Sequence, residues 1–363
     1  MMHALHPQQL EHDITQLFVH AGVAPSEAGA VASNLVLSNL SGHDSHGVGM
    51  APRYIDAIFE KRLIPGAKVT SHVDHGSLLG LNGNAGFGQV VGVQAMEKAF
   101  ERVSKEGACI MSLSNAHHLG RIGHFAEMAV KEGWISIHFV NVLSRPVVAA
   151  YQAGDGRFGT NPCCIGIPIG VPGHEDANGQ SHSFILDFAT SAVAQGKMRV
   201  AHNLGKPAPA GLLIDENGQP TTNPSVVVKP QSNGKYGALL TFGEHKGSGL
   251  AIACELLGGA LSGGGTWRKE ANNARAVMNG MLTIVIDPKA MGQESFFYPE
   301  TMAFIDWLKE SPPSPGTPGM ILAGAPERQA RLERKEKIEI DQATWLELKA
   351  SAAQVNAKGL FES

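Results

Sequence analysis

The spacing of apolar side chains predicts helices at the start of the chain. Over roughly the first 65 residues, apolar positions recur every three or four residues, as on one face of a helix. The inward positions of the predicted helices are Leu10, Ile14, Leu17, Phe18, Ala28, Val31, Leu35, Tyr54, Ile55 and Ile58. Ser26 stands where an N-cap would begin the second helix. We therefore expect residues 1–75 to form a helical lobe.

Beyond this lobe, short apolar runs alternate with segments of helical periodicity. The predicted strands are 78–81, 108–113, 135–142, 184–188 and 281–286, and the predicted helices are 90–103, 118–131, a segment from Ser191, and 247–261. Such alternation is typical of an α/β fold in which helices cover a sheet. We expect this body to span residues 76–299.

The last part of the chain combines a loop, a charged segment and a helix. Prolines between 312 and 318 indicate an exposed loop. The segment RLERKEK, from Arg331, has the composition of a solvated charge run with no further role. Asp341 is placed to cap a final helix, whose apolar face carries Trp345, Leu348, Ala352 and Val355. We expect residues 300–363 to pack on the N-terminal lobe.

Charge and cysteine usage exclude several classes of protein. The net charge of −4 over 363 residues gives no electrostatic support for nucleic-acid or anionic-membrane partners. The four cysteines form no Cys-x-x-Cys pair, which favours reduced thiols in the cytoplasm.

No signal peptide is expected, because the first residues lack a basic region followed by an apolar stretch. No apolar run reaches the roughly 18 residues that a membrane span needs.

Two clusters of histidines are the strongest chemical signal. They lie in SGHDSHGVGM, residues 41–50, and NAHHLGRIGHF, residues 115–125, where the pattern predicts loops. Binding and catalytic residues are often found in such loops, and a histidine can exchange a proton with a hydroxyl near neutral pH. A structural histidine is an equally ordinary interpretation. A metal site would draw on Asp44, His46, His117, His118 or His124, but their spacing fits no metal signature.

The glycine-rich segments do not identify a dinucleotide fold. GDGRFG, residues 154–159, is followed by Thr-Asn-Pro instead of a helix, and the spacing in GFGQVVG, residues 86–92, is stretched. A helix start at Thr190 or Ser191 could hold a phosphate, or it could be an ordinary N-cap. Lys246, in EHKGSGLA, could neutralise a phosphate or a carboxylate, or it could lie in a surface turn.

Taken in order, seven segments resemble the malate/L-lactate dehydrogenase family that lacks a Rossmann domain, and within it the bacterial hydroxycarboxylate dehydrogenases. They are HDSHG (43–47), NAHHLGRIG (115–123), FGTNP (158–162), ILDFATS (185–191), PTTNP (220–224), EHKGSGLA (244–251) and MLTIVIDP (281–288). The resemblance runs along the whole chain. It implies an α/β fold with a mixed, non-Rossmann sheet, a helical lobe built from both ends of the chain, and a homodimer.

The resemblance also implies a reaction and its residues. Hydride would move between NAD or NADP and C2 of a 2-hydroxy or 2-oxo acid, with His118 as general acid and base. Ser45 and Tyr54 match positions that line the substrate. The positions that match cofactor contacts are His46, Arg121, Ile122, Gly123, Leu186, Asp187, Phe188, Ala189, Thr190 and Lys246, with Asn279 and Gly324 in regions that align more loosely.

One departure concerns the substrate carboxylate. Many relatives carry an arginine where this chain has Met50, and methionine cannot bind a carboxylate. The candidate cations are then Arg53, Arg121, Arg145 and Lys246. Met50 also suggests a bulkier or more hydrophobic substrate side chain. Two alternatives stay open at this point: a reductase of cyclic imines, which uses the same hydride chemistry on C=N, and a metal-dependent hydrolase.

Overall fold

The computed structural model describes residues 2–170, 183–268, 277–357 and 359–362. The helices are α1 Pro7–His20, α2 Pro25–Leu40, α3 Ala51–Phe59, α4 Gly88–Glu106, α5 Gly123–Lys131, α6 Gln195–Asn203, α7 Ser225–Val228, α8 His245–Cys254, α9 Glu294–Lys309, α10 Ala325–Arg334 and α11 Gln342–Gln354. The strands are β1 Met2–Leu5, β2 Thr70–His75, β3 Leu78–Asn82, β4 Ala108–His117, β5 Ile135–Leu143, β6 Val148–Ala149, β7 Gly156–Phe158, β8 Cys163–Pro168, β9 Ser183–Phe188, β10 Leu213–Ile214, β11 Pro220–Thr221, β12 Ala238–Leu239, β13 Met278–Ile286 and β14 Ile338–Asp341. Asp44–His46 and Val48–Met50 form single 3₁₀ turns, and Glu255–Leu261 continues α8 as a π-helix.

The central sheet is mixed. Its strand order is β2-β3-β4-β13-β5-β8-β9, and only β3 and β4 run parallel. Helix α4 links these two strands, and α4 and α5 contribute to the apolar core that covers the sheet. Because a doubly wound fold needs successive parallel crossovers, this order is not a Rossmann sheet. The predicted α/β fold with a non-Rossmann mixed sheet is confirmed.

The two ends of the chain share a separate apolar core. Its side chains come from α1, α2 and α3 and from β14 and α11, with Phe18, Tyr54 and Trp345 among the largest. Strand β1 pairs with β14 in a two-stranded sheet. A helical lobe therefore draws on both ends of the chain, whereas the exact division into three domains stays a prediction.

Three helix starts differ from the sequence prediction. Helix α2 begins at Pro25, because proline suits the first helical position, so Ser26 is not its N-cap. Helix α5 begins at Gly123 rather than at His118. The positive φ of Gly120, +76°, interrupts helical geometry between these two residues.

The third difference removes a predicted phosphate site. Helix α6 begins only at Gln195, so neither Thr190 nor Ser191 caps it. The Thr190 hydroxyl instead donates to the carbonyl oxygens of Thr160 and Asn161, both at 3.0 Å. Ser191 forms an isolated bridge with Thr241. The segment therefore bonds to the loop before β8 and to Thr241 after β12, and it does not present free helix N–H groups.

The C-terminal region mixes confirmed and wrong predictions. Asp341 caps α11 by accepting from the N–H groups of Ala343 and Thr344, and the proline segment 312–318 forms neither helix nor strand. The charge run is not merely solvated, because Arg331 and Arg334 lie in α10 and bind other segments. The four cysteines are free thiols and buried. Among the described residues, no helix is both long and apolar enough to span a bilayer.

Candidate active site

Three residues from three elements form a buried hydrogen-bonded chain. Gln89 Nε2, in the first turn of α4, donates to the hydroxyl of Tyr54 at 2.7 Å. That hydroxyl lies 2.6 Å from Nδ1 of His118, in the loop after β4. Tyr54 and Gln89 are both buried. Tyr54 therefore holds one ring nitrogen of His118 and leaves Nε2 for another partner.

The first histidine cluster packs against the second. The rings of His46 and His118 stack with centroids 5.6 Å apart and planes 10° from parallel. Ser45 Oγ lies 3.1 Å from Nδ1 of His46. Helix α6 approaches closely here, since a Cβ on Gly196 would lie 2.8 Å from Cβ of Ser45. The structure thus brings Ser45, His46, Tyr54 and His118 into one cluster.

The turn that carries Ser45 and His46 is fixed by Asn39. The Asn39 side chain donates to Asp44 at 2.7 Å and accepts from the N–H of Val48 at 2.9 Å. A Cβ on Gly47 would lie 2.2 Å from Asn39 Oδ1, so only glycine fits between them. The polar motif therefore folds into two consecutive 3₁₀ turns at the end of α2.

Burial keeps the histidines of the cluster neutral. It lowers the pKa of His118 well below the usual value, and the neighbouring His46, His117 and Arg53 lower it further. Burial, followed by the charges of His43 and Arg121, lowers the pKa of His46 to about 4. Burial also raises the pKa of Tyr54, so its hydroxyl stays protonated. At neutral pH the cluster holds neutral imidazoles that can accept a proton.

A cavity of about 220 Å³ adjoins this cluster. It is lined by Met50, Arg53, Tyr54, Asp56, Ala57, Glu60, His117 and Val277. Nδ1 of His117 is buried and has no hydrogen-bond partner among the described residues. An unpartnered buried donor or acceptor costs about 1–3 kcal/mol.

The turn after His118 contacts two strands of the central sheet, β13 and β9. The N–H of Leu119 donates to Oδ1 of Asn279, on β13, at 2.8 Å. The N–H of Gly123 donates to Oδ2 of Asp187, on β9, at 2.7 Å. A Cβ on Gly123 would lie 2.5 Å from Arg121 Nη1 and 2.9 Å from Asp187 Oδ2. Burial raises the pKa of Asp187, while Arg121 and the Gly123 N–H lower it in part.

Arg121 lies between these contacts. It is 3% exposed, and its Nη2 donates to Glu127 at 2.5 Å. Its Nη1 is buried and, within the described part of the chain, has no hydrogen-bond partner. Burial would lower the pKa of Arg121, but the Glu127 carboxylate raises it, so the guanidinium stays charged. One N–H group of the charged guanidinium is thus buried without a hydrogen-bond partner among the described residues.

The other predicted cofactor residues are spread more widely. Ile122 is buried, and Leu186, Phe188 and Ala189 are half-buried on or just after the edge strand β9. Gly324 begins α10 with a φ of +88° and packs against the backbone of Ile185 in that strand. Thr190 is used internally, and Lys246 is exposed in the first turn of α8. The cluster around His118 therefore adjoins the 121–123 turn and Asn279, whereas the Thr190 hydroxyl binds Thr160 and Asn161.

The cations proposed for the substrate carboxylate have different surroundings. Arg121 is paired with Glu127, and Arg145 donates to Val227 O at 2.7 Å and lies 3.7 Å from the ring centroid of Tyr236. Arg53 lines the cavity and makes no hydrogen bond to another described residue. Of the three arginines, Arg53 is the one that faces the cavity beside Tyr54.

Two residues of the site are not predicted by the sequence motifs. Gln89 occupies a buried position of α4, between the inward positions Gly88 and Val91. A polar residue on an otherwise apolar helix face was the available signal. Glu127 lies in α5 and binds Arg121, a pairing that periodicity cannot reveal. Within the described part of the chain, no three His, Cys, Asp or Glu side chains lie together as metal ligands could.

Comparisons with known proteins agree with this architecture. The profile of the malate/L-lactate dehydrogenase family matches residues 5–349. Hydroxycarboxylate dehydrogenase B of Escherichia coli strain K12 is 40% identical over 356 residues, which cover 97% of this chain and 94% of that protein.

Solved structures give the same result. Sulfolactate dehydrogenase from Methanocaldococcus jannaschii superposes with a TM-score of 0.83 at 28% identity, over 98% of each chain. Delta1-piperideine-2-carboxylate reductase from Pseudomonas syringae pvar. tomato superposes with a TM-score of 0.80 at 26% identity, over 96% of this chain and 100% of that one. The mixed sheet is thus common to dehydrogenases and to a reductase.

Proposed function

Because the chain belongs to the malate/L-lactate dehydrogenase family, we propose that it is an NAD(P)-dependent 2-hydroxycarboxylate dehydrogenase. It would move a hydride between the nicotinamide and C2 of a 2-hydroxy or 2-oxo acid. The observation that carries the proposal is the buried chain from Gln89 through Tyr54 to His118, built on the histidine motif. It supplies a neutral, oriented imidazole, as a proton acceptor needs.

His118 is proposed as the general acid and base. In oxidation, Nε2 accepts the proton of the substrate hydroxyl while C2 loses hydride; in reduction it returns that proton to the oxygen. Tyr54 contacts Nδ1 and fixes the plane of the ring. His46 stacks on the same ring and limits its rotation from the other side.

The hydroxyl of Tyr54 can support either neutral tautomer of His118. When Tyr54 accepts from Gln89, its own proton points to Nδ1, and the neutral ring carries its proton on Nε2. When Nδ1 carries the proton and donates to Tyr54, Nε2 is free to act as base. In this second arrangement the Tyr54 hydroxyl donates its own proton to Gln89, so the Gln89 amide must be reversed to present Oε1. In the present orientation Oε1 is buried and lacks a partner among the described residues.

Residues around the 121–123 turn fit a nicotinamide dinucleotide. Arg121 offers a buried cationic N–H group without a hydrogen-bond partner among the described residues, and Gly123 lets Arg121 and Asp187 pack closely against the turn, where a Cβ would clash with both. Other residues that the resemblance implies as cofactor contacts surround or adjoin that turn, namely His46, Ile122, the 186–189 segment and Asn279. When bound, the dinucleotide supplies the hydride acceptor or donor. Lys246, exposed at the start of α8, would contribute positive charge toward its phosphates.

Arg53 is proposed to bind the substrate carboxylate. Burial and the nearby Arg199 lower its pKa, against the opposing effects of Glu347 and Tyr54. Two cations held close together favour an anion between them. Met50 lines the same cavity, at the position where the family resemblance implies an arginine in many relatives, and Asp56 adds a carboxylate. A bulky substrate with one carboxylate would therefore suit the cavity better than malate, whose second carboxylate would meet Asp56.

A cyclic imine reductase is the second candidate. The superposition with delta1-piperideine-2-carboxylate reductase supports it, because hydride delivery to C=N needs the same cofactor geometry.

We also propose a cytoplasmic homodimer. Exposed apolar side chains on α9, among them Phe296, Phe304 and Trp307, offer surface for self-association. Sedimentation of the purified protein tests the dimer directly.

Substrate panels test the function. NADH and NADPH oxidation would be followed by absorbance with pyruvate, oxaloacetate, glyoxylate, phenylpyruvate, hydroxyphenylpyruvate and piperideine-2-carboxylate. Consumption with a 2-oxo acid supports the dehydrogenase, and consumption only with the imine supports the reductase. Silence with every pair, together with a stoichiometric metal in the purified protein, would favour the metal-dependent hydrolase instead.

A further inference from the structure

Helix α10 presents one face to the turn that precedes Ser45. Glu327, Arg331 and Arg334 follow the spacing i, i+4 and i+7 and so share that face. The contacts are Glu327 Oε1 to His43 Nε2 at 2.9 Å, Arg331 Nε to Ser41 Oγ at 2.8 Å, and Arg334 Nη1 to Asp44 Oδ1 at 2.9 Å and to Asn39 O at 2.6 Å. Four residues within the 39–44 segment are thus held by one helix.

The helix is attached by polar contacts rather than by a core. None of its residues is buried, and an irregular segment, 311–324, precedes it. Removing a polar contact should therefore change the position of the turn without opening an apolar core. Exposed ion pairs such as Arg334 with Asp44 contribute little on their own.

A second set of contacts connects α10 to Arg121 through Glu127. Glu127 accepts from Arg331 Nη2 through Oε1 and from Arg121 Nη2 through Oε2, each at 2.5 Å. Burial would raise the pKa of Glu127, but the two guanidinium groups together lower it. Because Arg121 is 3% exposed, this carboxylate is shared between a buried cation and one on α10.

We propose that Arg331 is a positioning residue that locks the active-site geometry. Through Ser41 it fixes the turn that carries Ser45 and His46, and through Glu127 it fixes the Arg121 side chain. The consequence for dinucleotide binding rests on the proposed function. The ordering of the two segments does not depend on that function, so segment ordering and dinucleotide binding can be measured separately.

Ordering is measured by hydrogen exchange of the ligand-free protein. The amides of His46 and Val48, and those of Leu119 and Gly123, are hydrogen-bonded and report on the two segments. Arg331→Gln should raise exchange there roughly tenfold, as expected for losing a charge-assisted hydrogen bond. Lys335→Gln is the matched control, because it removes the same charge at an exposed position at the end of the same helix.

Function is measured by titrating NADH and NADPH and by steady-state kinetics. Arg331→Gln should weaken dinucleotide binding by about tenfold and raise KM more than it lowers kcat. Arg331→Lys should recover part of the affinity, since one ammonium can reach Glu127 or Ser41 but cannot reproduce the fork. Lys335→Gln should behave as wild type.

Two results would overturn the proposal. One is unchanged exchange in both segments of Arg331→Gln. The other is faster exchange that extends to the central strands β5 and β8, which would make the effect a general loss of stability. A wild-type protein that binds neither nucleotide would reject the proposed function, while the exchange comparison would still decide the role of Arg331.

Discussion

Replacing Tyr54 by phenylalanine tests the hydrogen-bonded chain most simply. The substitution keeps the ring, which packs between Phe18, Phe87 and His117, and removes only the hydroxyl. Two contacts are lost, at 2.7 Å to Gln89 and at 2.6 Å to Nδ1 of His118. His118 would then keep its position but lose the partner that orients its ring.

The magnitude follows from burial. Gln89 already has one side-chain atom, Oε1, without a partner among the described residues, and the variant would leave Nε2 without one as well. Each buried polar group without a partner costs about 1–3 kcal/mol, so the free energy of unfolding should fall by about that amount. Misorientation of the general base should lower kcat by roughly 10- to 100-fold, since proton transfer contributes about 10²- to 10⁴-fold in total.

The assay compares kcat, dinucleotide affinity and urea unfolding of the variant with those of the parent. Tyr298→Phe is the matched control, because that buried hydroxyl donates to Gly133 O at 3.3 Å, away from the histidines. We expect Tyr298→Phe to keep its kcat. A Tyr54→Phe protein with parental kcat would refute the claim that Tyr54 orients the base.

Other predictions follow from the same geometry. His118→Gln should lose about 10²- to 10⁴-fold in turnover and retain dinucleotide binding in titrations; retained turnover would make His46 the next candidate for the base. Met50→Arg should shift the kcat/KM ratio toward oxaloacetate over phenylpyruvate, and an unchanged ratio would count against the cavity as the substrate site. Burial lowers the pKa of His117 to about 4 and of His138 to about 3, below the unfolded value near 6.5. The unfolded chain therefore binds more protons between these limits, and the free energy of unfolding should fall by roughly 2 kcal/mol per histidine between pH 7 and pH 5. A flat urea midpoint over that range would contradict the burial argument.

The sequence predicts correctly those secondary-structure elements that are determined by residues close together in the chain. The apolar spacing of α1 and the cap at Asp341 depend on residues within a few positions of each other, and both agree with the structure. The strand pair β1 and β14 was not predicted, because its partners lie at opposite ends of the chain. The start of α5 was misplaced because the positive φ of Gly120 depends on the surrounding turn.

The candidate site shows the same limit. The histidine motifs stood out in the sequence, but the contact between Tyr54 and His118 spans 64 positions, and no pattern within either segment contains it. The charged segment from Arg331 was misread for a related reason. Its partner Ser41 lies 290 positions away, and composition cannot distinguish a charge that faces water from one that is paired at such a distance.

Deuterium transfer from the cofactor would show hydride transfer to C2 of the substrate. The protein would be incubated with a preferred 2-oxo acid and with NADH or NADPH carrying deuterium at the transferable C4 position, and the product would be analysed by mass spectrometry. We expect one deuterium on C2 of a single 2-hydroxy acid enantiomer, with loss of the signal in His118→Gln. A 2-hydroxy acid without deuterium, or no product with either cofactor, would contradict the assignment as an NAD(P)-dependent 2-hydroxycarboxylate dehydrogenase.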